Sequence, residues 1–193
     1  MARQVVTLKP VESVKNVFRI LKTVNHNAFP VVVSNQASIA FGDGADFGRL
    51  RGLISRDQLI SLLQHRVFLT ENLTTDPADL NPSMVSFTNQ EFRRIYRQAD
   101  KVFRNLRFSN EDMGQSLNLR PYMEKAPYVV SDKASFRKVH NLLRHLALRH
   151  VVVVNEHYGV VGIVTRKDLV GFRKQNNLET SDNFVFTKIR ACF

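Results

Sequence analysis

Val160-Val161-Gly162-Ile163-Val164-Thr165-Arg166-Lys167-Asp168-Leu169 reads as a buried apolar strand that turns directly into a helix. Leu50-Arg51-Gly52-Leu53-Ile54-Ser55-Arg56-Asp57-Gln58-Leu59 has the same design. Working outward, each stretch is preceded by a short valine-rich run, His150-Val151-Val152-Val153-Val154 in one case and Phe29-Pro30-Val31-Val32-Val33 in the other. Before each run lies a helix face with apolar residues at steps of three and four: Phe136, Val139, Leu142, Leu143 and Leu146, against Val14, Val17, Phe18, Leu21 and Val24. The stretch from Glu12 to Leu62 is thus echoed from Ala134 to Phe172. With leading strands at Val5 to Leu8 and Tyr128 to Val130, each copy is strand-helix-strand-strand-helix, an α/β (α+β) unit. One such unit is too small to bury both faces of its sheet, so the copies are expected to pack as one pseudo-symmetric module. The organisation read from this pattern is a first unit at 1–70, an inserted linker at 71–118, a second unit at 119–173 and a tail at 174–193.

Composition bounds the function. Of 193 residues, 44% are hydrophobic and 23% charged, which fits a folded domain rather than a disordered or fibrous chain. The longest aliphatic runs, such as Val151 to Val154, fall far short of the roughly 18 to 20 residues that cross a bilayer. Cys192 is the sole cysteine, so an internal disulfide and a cysteine metal cluster are excluded, and a reducing compartment is expected. No secretory h-region follows Met1. A net charge of +11 favours anionic partners. The densest basic run, Arg93, Arg94, Arg97, Lys101, Arg104 and Arg107 with Phe92, Tyr96 and Phe103 interleaved, suits an amphipathic surface helix, and RNA as the alternative, although no RNA-binding signature accompanies it. His140, His145, His150 and His157 do not place three side chains on one helical face, so no metal site is expected. Neither a nucleophile elbow nor a phosphate-binding lysine loop is present, and no enzymatic activity is expected.

The tandem units, ending in Gly-Ile-Val-Thr-Arg-Lys-Asp-Leu, resemble paired CBS domains, the Bateman module. Asn25-His26-Asn27-Ala28-Phe29-Pro30-Val31-Val32, His65-Arg66-Val67-Phe68 and Leu146-Ala147-Leu148-Arg149-His150 are similar to the cytoplasmic tail of CLC chloride channels and chloride/proton exchangers, most of all the lysosomal, endosomal and plant vacuolar branch. The resemblance covers residues 1–70 and 119–173. It departs at Ala28, where that branch usually has glycine. It implies a regulatory module on the cytosolic face of an endosomal, lysosomal or vacuolar membrane. When the copies are aligned Met1 falls opposite Met123, leaving Leu119 to Tyr122 without counterparts; a degenerate first repeat is one explanation, and the other, which the resemblance favours, is a longer protein with a membrane domain upstream of Met1 as partner in the same polypeptide.

Thr165 and Asp168 have the spacing of a helix-capping box, which needs no ligand. In CBS modules similar to this one, the same pair binds an adenine nucleotide, the carboxylate accepting from both ribose hydroxyls. Lys167 is then placed to meet a phosphate, or is simply solvated. In the first unit Gln58 stands at the matching position and offers no charged acceptor, so a single nucleotide site is expected. By the same resemblance His26 stacks on the adenine, while Asn27 and Ala28 line the base edge. The competing reading is that His26-Asn27 ends a helix, with Asn27 in the left-handed conformation. ATP, ADP or AMP is therefore the expected regulatory ligand, held between the two units and modulating gating, and no cofactor is required. The rival is a dimerisation and docking domain without ligand; a basic nucleic-acid-binding protein is a third reading, and no nucleic-acid partner is expected. A homodimer is expected through apolar helix faces carrying Leu59, Leu62 and Leu63, and Leu169 and Phe172.

Overall fold

The computed structural model describes residues 5–33, 47–69 and 99–169. In chain order these form β1 (Val11–Ser13), α1 (Val14–Thr23), β2 (Ala28–Val33), β3 (Arg49–Ser55), α2 (Arg56–Gln64), α3 (Ala99–Asn105), α4 (Asn110–Gly114), β4 (Ser116–Asn118), β5 (Val129–Ser131), α5 (Phe136–His145), β6 (His150–Val154) and β7 (Val160–Thr165), followed by helix at 166–169. The α/β class and the helix-strand-strand-helix order of both repeats are as the sequence predicts. Among the described residues no helix is long and apolar enough to cross a membrane.

The repeats begin their helices alike. Ser13 caps α1 by accepting from the Asn16 N–H at 3.2 Å, and Ser135 caps α5 by accepting from Lys138 at 3.3 Å. α1 buries Val14, Val17, Ile20 and Leu21. Ile20 therefore belongs to the face on which the periodicity placed Phe18 and Val24, both only half-buried. The leading strand expected at Val5 to Leu8 is reduced to an isolated bridge at Leu8. In the second repeat the leading strand forms as β5, shifted by one residue.

By its internal contacts the chain divides into two compact units, and the division does not follow the repeat boundary. One takes in the described parts of Met1–Thr7, Pro30–Leu53 and Glu124–Phe193. Its sheet is β5-β6-β7, with β5 parallel and β7 antiparallel to β6. Val130, Val151, Val153, Val161 and Val164 bury one core with Val139 and Leu143 of α5. First-repeat backbone joins this unit directly: Phe47 N–H donates to Val160 O and Val160 N–H to Gly48 O, both at 2.9 Å, while Leu53 and Glu124 exchange a pair of bonds at 2.9 and 2.8 Å. These backbone bonds link the two copies within this unit.

The other unit takes in Leu8–Phe29 and the described parts of Ile54–Met123. Here β1 pairs antiparallel with β4, Glu12 opposite Leu117. The described part of the 71–118 segment is folded onto the first repeat's helices. α3 packs against α2, and Phe103 and Phe108 set their rings 5.3 and 5.4 Å from Phe18. Leu59, Leu62 and Leu63 are consequently fully buried, so they do not form the exposed association face that the sequence suggested. Leu169 is buried as well. Phe92, Arg93, Arg94, Tyr96, Arg97, Phe172, Cys192 and the tail lie outside the described residues. Of the basic run, Lys101, Arg104 and Arg107 are exposed, while the Phe103 ring is engaged by Phe18.

Candidate functional site

β7 carries five consecutive buried residues, Val160 to Val164, and releases the chain to solvent at Thr165, where the next helix opens. The geometry there departs from a complete capping box. The Thr165 backbone N–H and its hydroxyl both donate to Asp168 Oδ2, each at 2.7 Å. The hydroxyl is thus turned towards the acid. In the first repeat both halves of the box are present: Ser55 Oγ accepts from Gln58 N–H at 3.1 Å, and Gln58 Oε1 accepts from Ser55 N–H at 2.8 Å. Gln58 Nε2 also donates to Tyr122 O at 3.0 Å, so both ends of that amide bond within the protein.

Asp168 is half-buried and its carboxyl titrates below the ordinary carboxylate value. Burial pushes it up, and the two hydrogen bonds from Thr165 are among the interactions that bring it down. A half-buried, ionised carboxylate is the acceptor a vicinal diol needs. Lys167 beside it is exposed.

His26, Asn27 and Ala28 lie in the other unit, between α1 and β2. The half-buried His26 ring stands 6.2 Å from Phe29, tilted by 39°. Asn27 is exposed, and its carbonyl accepts from Arg56 N–H at 2.9 Å. Ala28 is buried as the first residue of β2. The helix-end reading of Asn27 does not hold: α1 stops at Thr23, and Val24 caps it in an extended conformation by donating back to Ile20 O. Among the described residues the left-handed non-glycine positions are Arg66, Ala147 and Tyr158.

The arginine that both motifs share was not singled out from sequence. Arg56 Nη1 donates to Val24 O at 2.8 Å and Nη2 to Leu21 O at 2.7 Å, closing the C-terminal turn of α1. Arg166 does the same for α5, donating from Nε to Leu148 O at 2.9 Å and from Nη2 to Leu143 O at 3.1 Å. A planar guanidinium spans two such carbonyls and complements the negative end of the helix dipole. Arg56 is buried under the Phe103 ring, 5.7 Å away, whereas Arg166 is exposed. The only sequence sign of this role was the recurrence of arginine directly after Ser55 and Thr165.

Comparisons with known proteins agree with this anatomy. H(+)/Cl(-) exchange transporter 7 of Bos taurus is 34% identical over 175 residues, 90% of this chain and 20% of that protein. Chloride channel protein CLC-d of Arabidopsis thaliana is 31% identical over 170 residues, 88% of this chain and 20% of that protein. The chain spans about a fifth of the length of these curated relatives. Among solved structures, the Arabidopsis thaliana CBS-pair protein CBSX2 in complex with AMP superposes with a TM-score of 0.51 at 18% identity, covering 90% of each chain. The fold is shared with it. The family model for the CBS domain matches residues 1–65 and 119–174, the two repeats found in the sequence, and the chain belongs to the CBS domain family.

Proposed function

We propose that this chain is the regulatory module of a chloride channel or chloride/proton exchanger, lying on the cytosolic face of an endosomal, lysosomal or vacuolar membrane and acting on a membrane domain of the same polypeptide. The reading is supported by similarity that runs along nine-tenths of the chain to an exchange transporter. The module is not catalytic in this reading. It binds an adenine nucleotide through Thr165, Lys167 and Asp168, and the occupied state biases gating. A ligand shifts such an equilibrium only by its differential affinity for two states, typically about 1–3 kcal/mol. The observation that carries the nucleotide assignment is the half-buried carboxylate of Asp168 at the mouth of β7, a charged acceptor where the first repeat has the neutral amide of Gln58.

Titration calorimetry with ATP, ADP and AMP tests the site. Asp168→Asn removes a charged acceptor worth roughly 1.5–3 kcal/mol and lowers affinity by about 10- to 150-fold. Gln58→Ala leaves binding unchanged. If Asp168→Asn binds as tightly as the wild type while its thermal stability drops, the aspartate is a helix cap and the assignment fails. A base-reading role for His26, Asn27 and Ala28 is a separate proposal, tested by His26→Ala in the same titration.

The two bonds from Thr165 to Asp168 also support a second reading, in which the carboxylate serves only its own helix and the module acts as a docking and dimerisation domain without ligand. Absence of heat with all three nucleotides favours it. Self-association in either reading uses surfaces other than the buried Leu59, Leu62 and Leu63.

A further inference from the structure

The Thr165–Asp168 pair has a neighbour across the sheet. In the antiparallel ladder of β6 and β7, His150 stands directly opposite Thr165. Residues so paired project to the same face with Cβ atoms about 4.5–5.5 Å apart. His150 is half-buried, and the Asp168 charge reaches it. Burial, and secondarily Arg149, hold its imidazole below the ordinary histidine value, with Asp168 opposing, which favours the neutral ring. A neutral imidazole presents one N–H donor and one acceptor.

That donor complements the acceptor Asp168 at the sugar, while the exposed Lys167 is assigned to a phosphate in this reading. An ionised carboxylate only accepts, so it satisfies the protons of a ribose diol and leaves the hydroxyl oxygens in want of a donor. The Thr165 hydroxyl proton is committed to Asp168. We propose that His150 is a further ligand-contacting residue of this site, donating to the sugar hydroxyls of the nucleotide and setting selectivity for ribose without touching the phosphates.

The inference rests on the nucleotide reading given above, and the experiment separates the two. Binding of ATP, AMP and 2′,3′-dideoxy-ATP is measured by calorimetry at pH 7.5 for the wild type, His150→Phe, His150→Gln and Asp168→Asn. One neutral hydrogen bond is worth about 2- to 12-fold in affinity. His150→Phe is expected to lose that factor equally for ATP and AMP and to lose nothing further with the dideoxy ligand, and His150→Gln to recover most of it. Should the phenylalanine variant unfold, the wild-type His150 Cε1–H resonance carries the test, shifting on addition of AMP and staying in place with 2′,3′-dideoxy-AMP. A loss confined to ATP, or undiminished affinity in His150→Phe, overturns the role of His150 while leaving the site intact. Unchanged affinity in Asp168→Asn overturns the site itself.

Discussion

Arg56→Met is the substitution that most directly tests how the first repeat is held together. It removes two hydrogen bonds of 2.7 and 2.8 Å from a buried guanidinium to the carbonyls of Leu21 and Val24, together with the contact to the Phe103 ring. Charged hydrogen bonds are worth roughly 1.5–3 kcal/mol each and do not add fully, and the methionine restores part of the apolar burial, so we expect a net loss of about 3 kcal/mol. The nearby Asp100, at 3.7 Å and 76% exposed, contributes little of this. Arg166→Met is the internal control. It removes the same two kinds of bond at a solvent-exposed arginine, where water replaces the lost donor, and should cost about 1 kcal/mol. For a chain of this size these figures correspond to roughly 6–12 °C and 2–4 °C in Tm. Urea titration of both variants, with m unchanged, gives the difference directly. Arg56→Lys should recover little, because a single ammonium does not fork across two carbonyls. Equal losses at Arg56 and Arg166, or full stability in Arg56→Lys, would refute the claim that burial beneath α3 makes this contact strong.

Two further expectations follow from buried polar groups. Ser61 is fully buried on α2 and its hydroxyl has no hydrogen-bond partner among the described residues, so Ser61→Ala should raise Tm by about 2–4 °C, a gain of about 1 kcal/mol, and a fall in Tm would show that the hydroxyl is bonded after all. The second concerns pH. His150 has a folded-state value below its unfolded one, so its protonation favours the unfolded chain: its contribution is whole above about pH 6.5 and is lost as pH falls from there through the folded value. Asp168 is also depressed, so its contribution is present above about pH 3.9 and lost on further acidification. Stability should therefore decline in two steps on acidification, and His150→Gln should flatten the upper step; an unchanged profile in that variant would contradict the assignment.

What was legible in the sequence was whatever depends on short range. Valine runs gave β2, β6 and β7, apolar steps of three and four gave α1 and α5, and the paired strand-to-helix turns gave the repeat. What was not legible depends on contacts far along the chain. β1 and β4 are three residues each and exist because they pair with one another across more than a hundred positions. α3 reads as a solvated basic helix, since only its packing partner reveals that Phe103 faces Phe18 and Arg56. The leucine face of α2 differs from expectation for the same reason: a periodic leucine stripe states that something covers it and leaves open whether the cover is another copy or the chain's own next helix.

The asymmetry between the repeats bears on the site as well as on stability. At one strand-to-helix turn Gln58 completes a neutral box and ties it to Tyr122, so every polar end of that side chain serves the fold. At the other, the acid takes both bonds from Thr165 on one oxygen, and burial lowers the titration of the histidine opposite Thr165 despite the neighbouring carboxylate. Burying an ionised carboxylate by half costs more than burying an amide, and a cap alone does not require the cost, because Ser55 and Gln58 achieve the same helix start without a charge. The charge at the second turn is thus a difference between the repeats that helix capping alone leaves unexplained, and the Asp168→Asn titration is the measurement that bears on it.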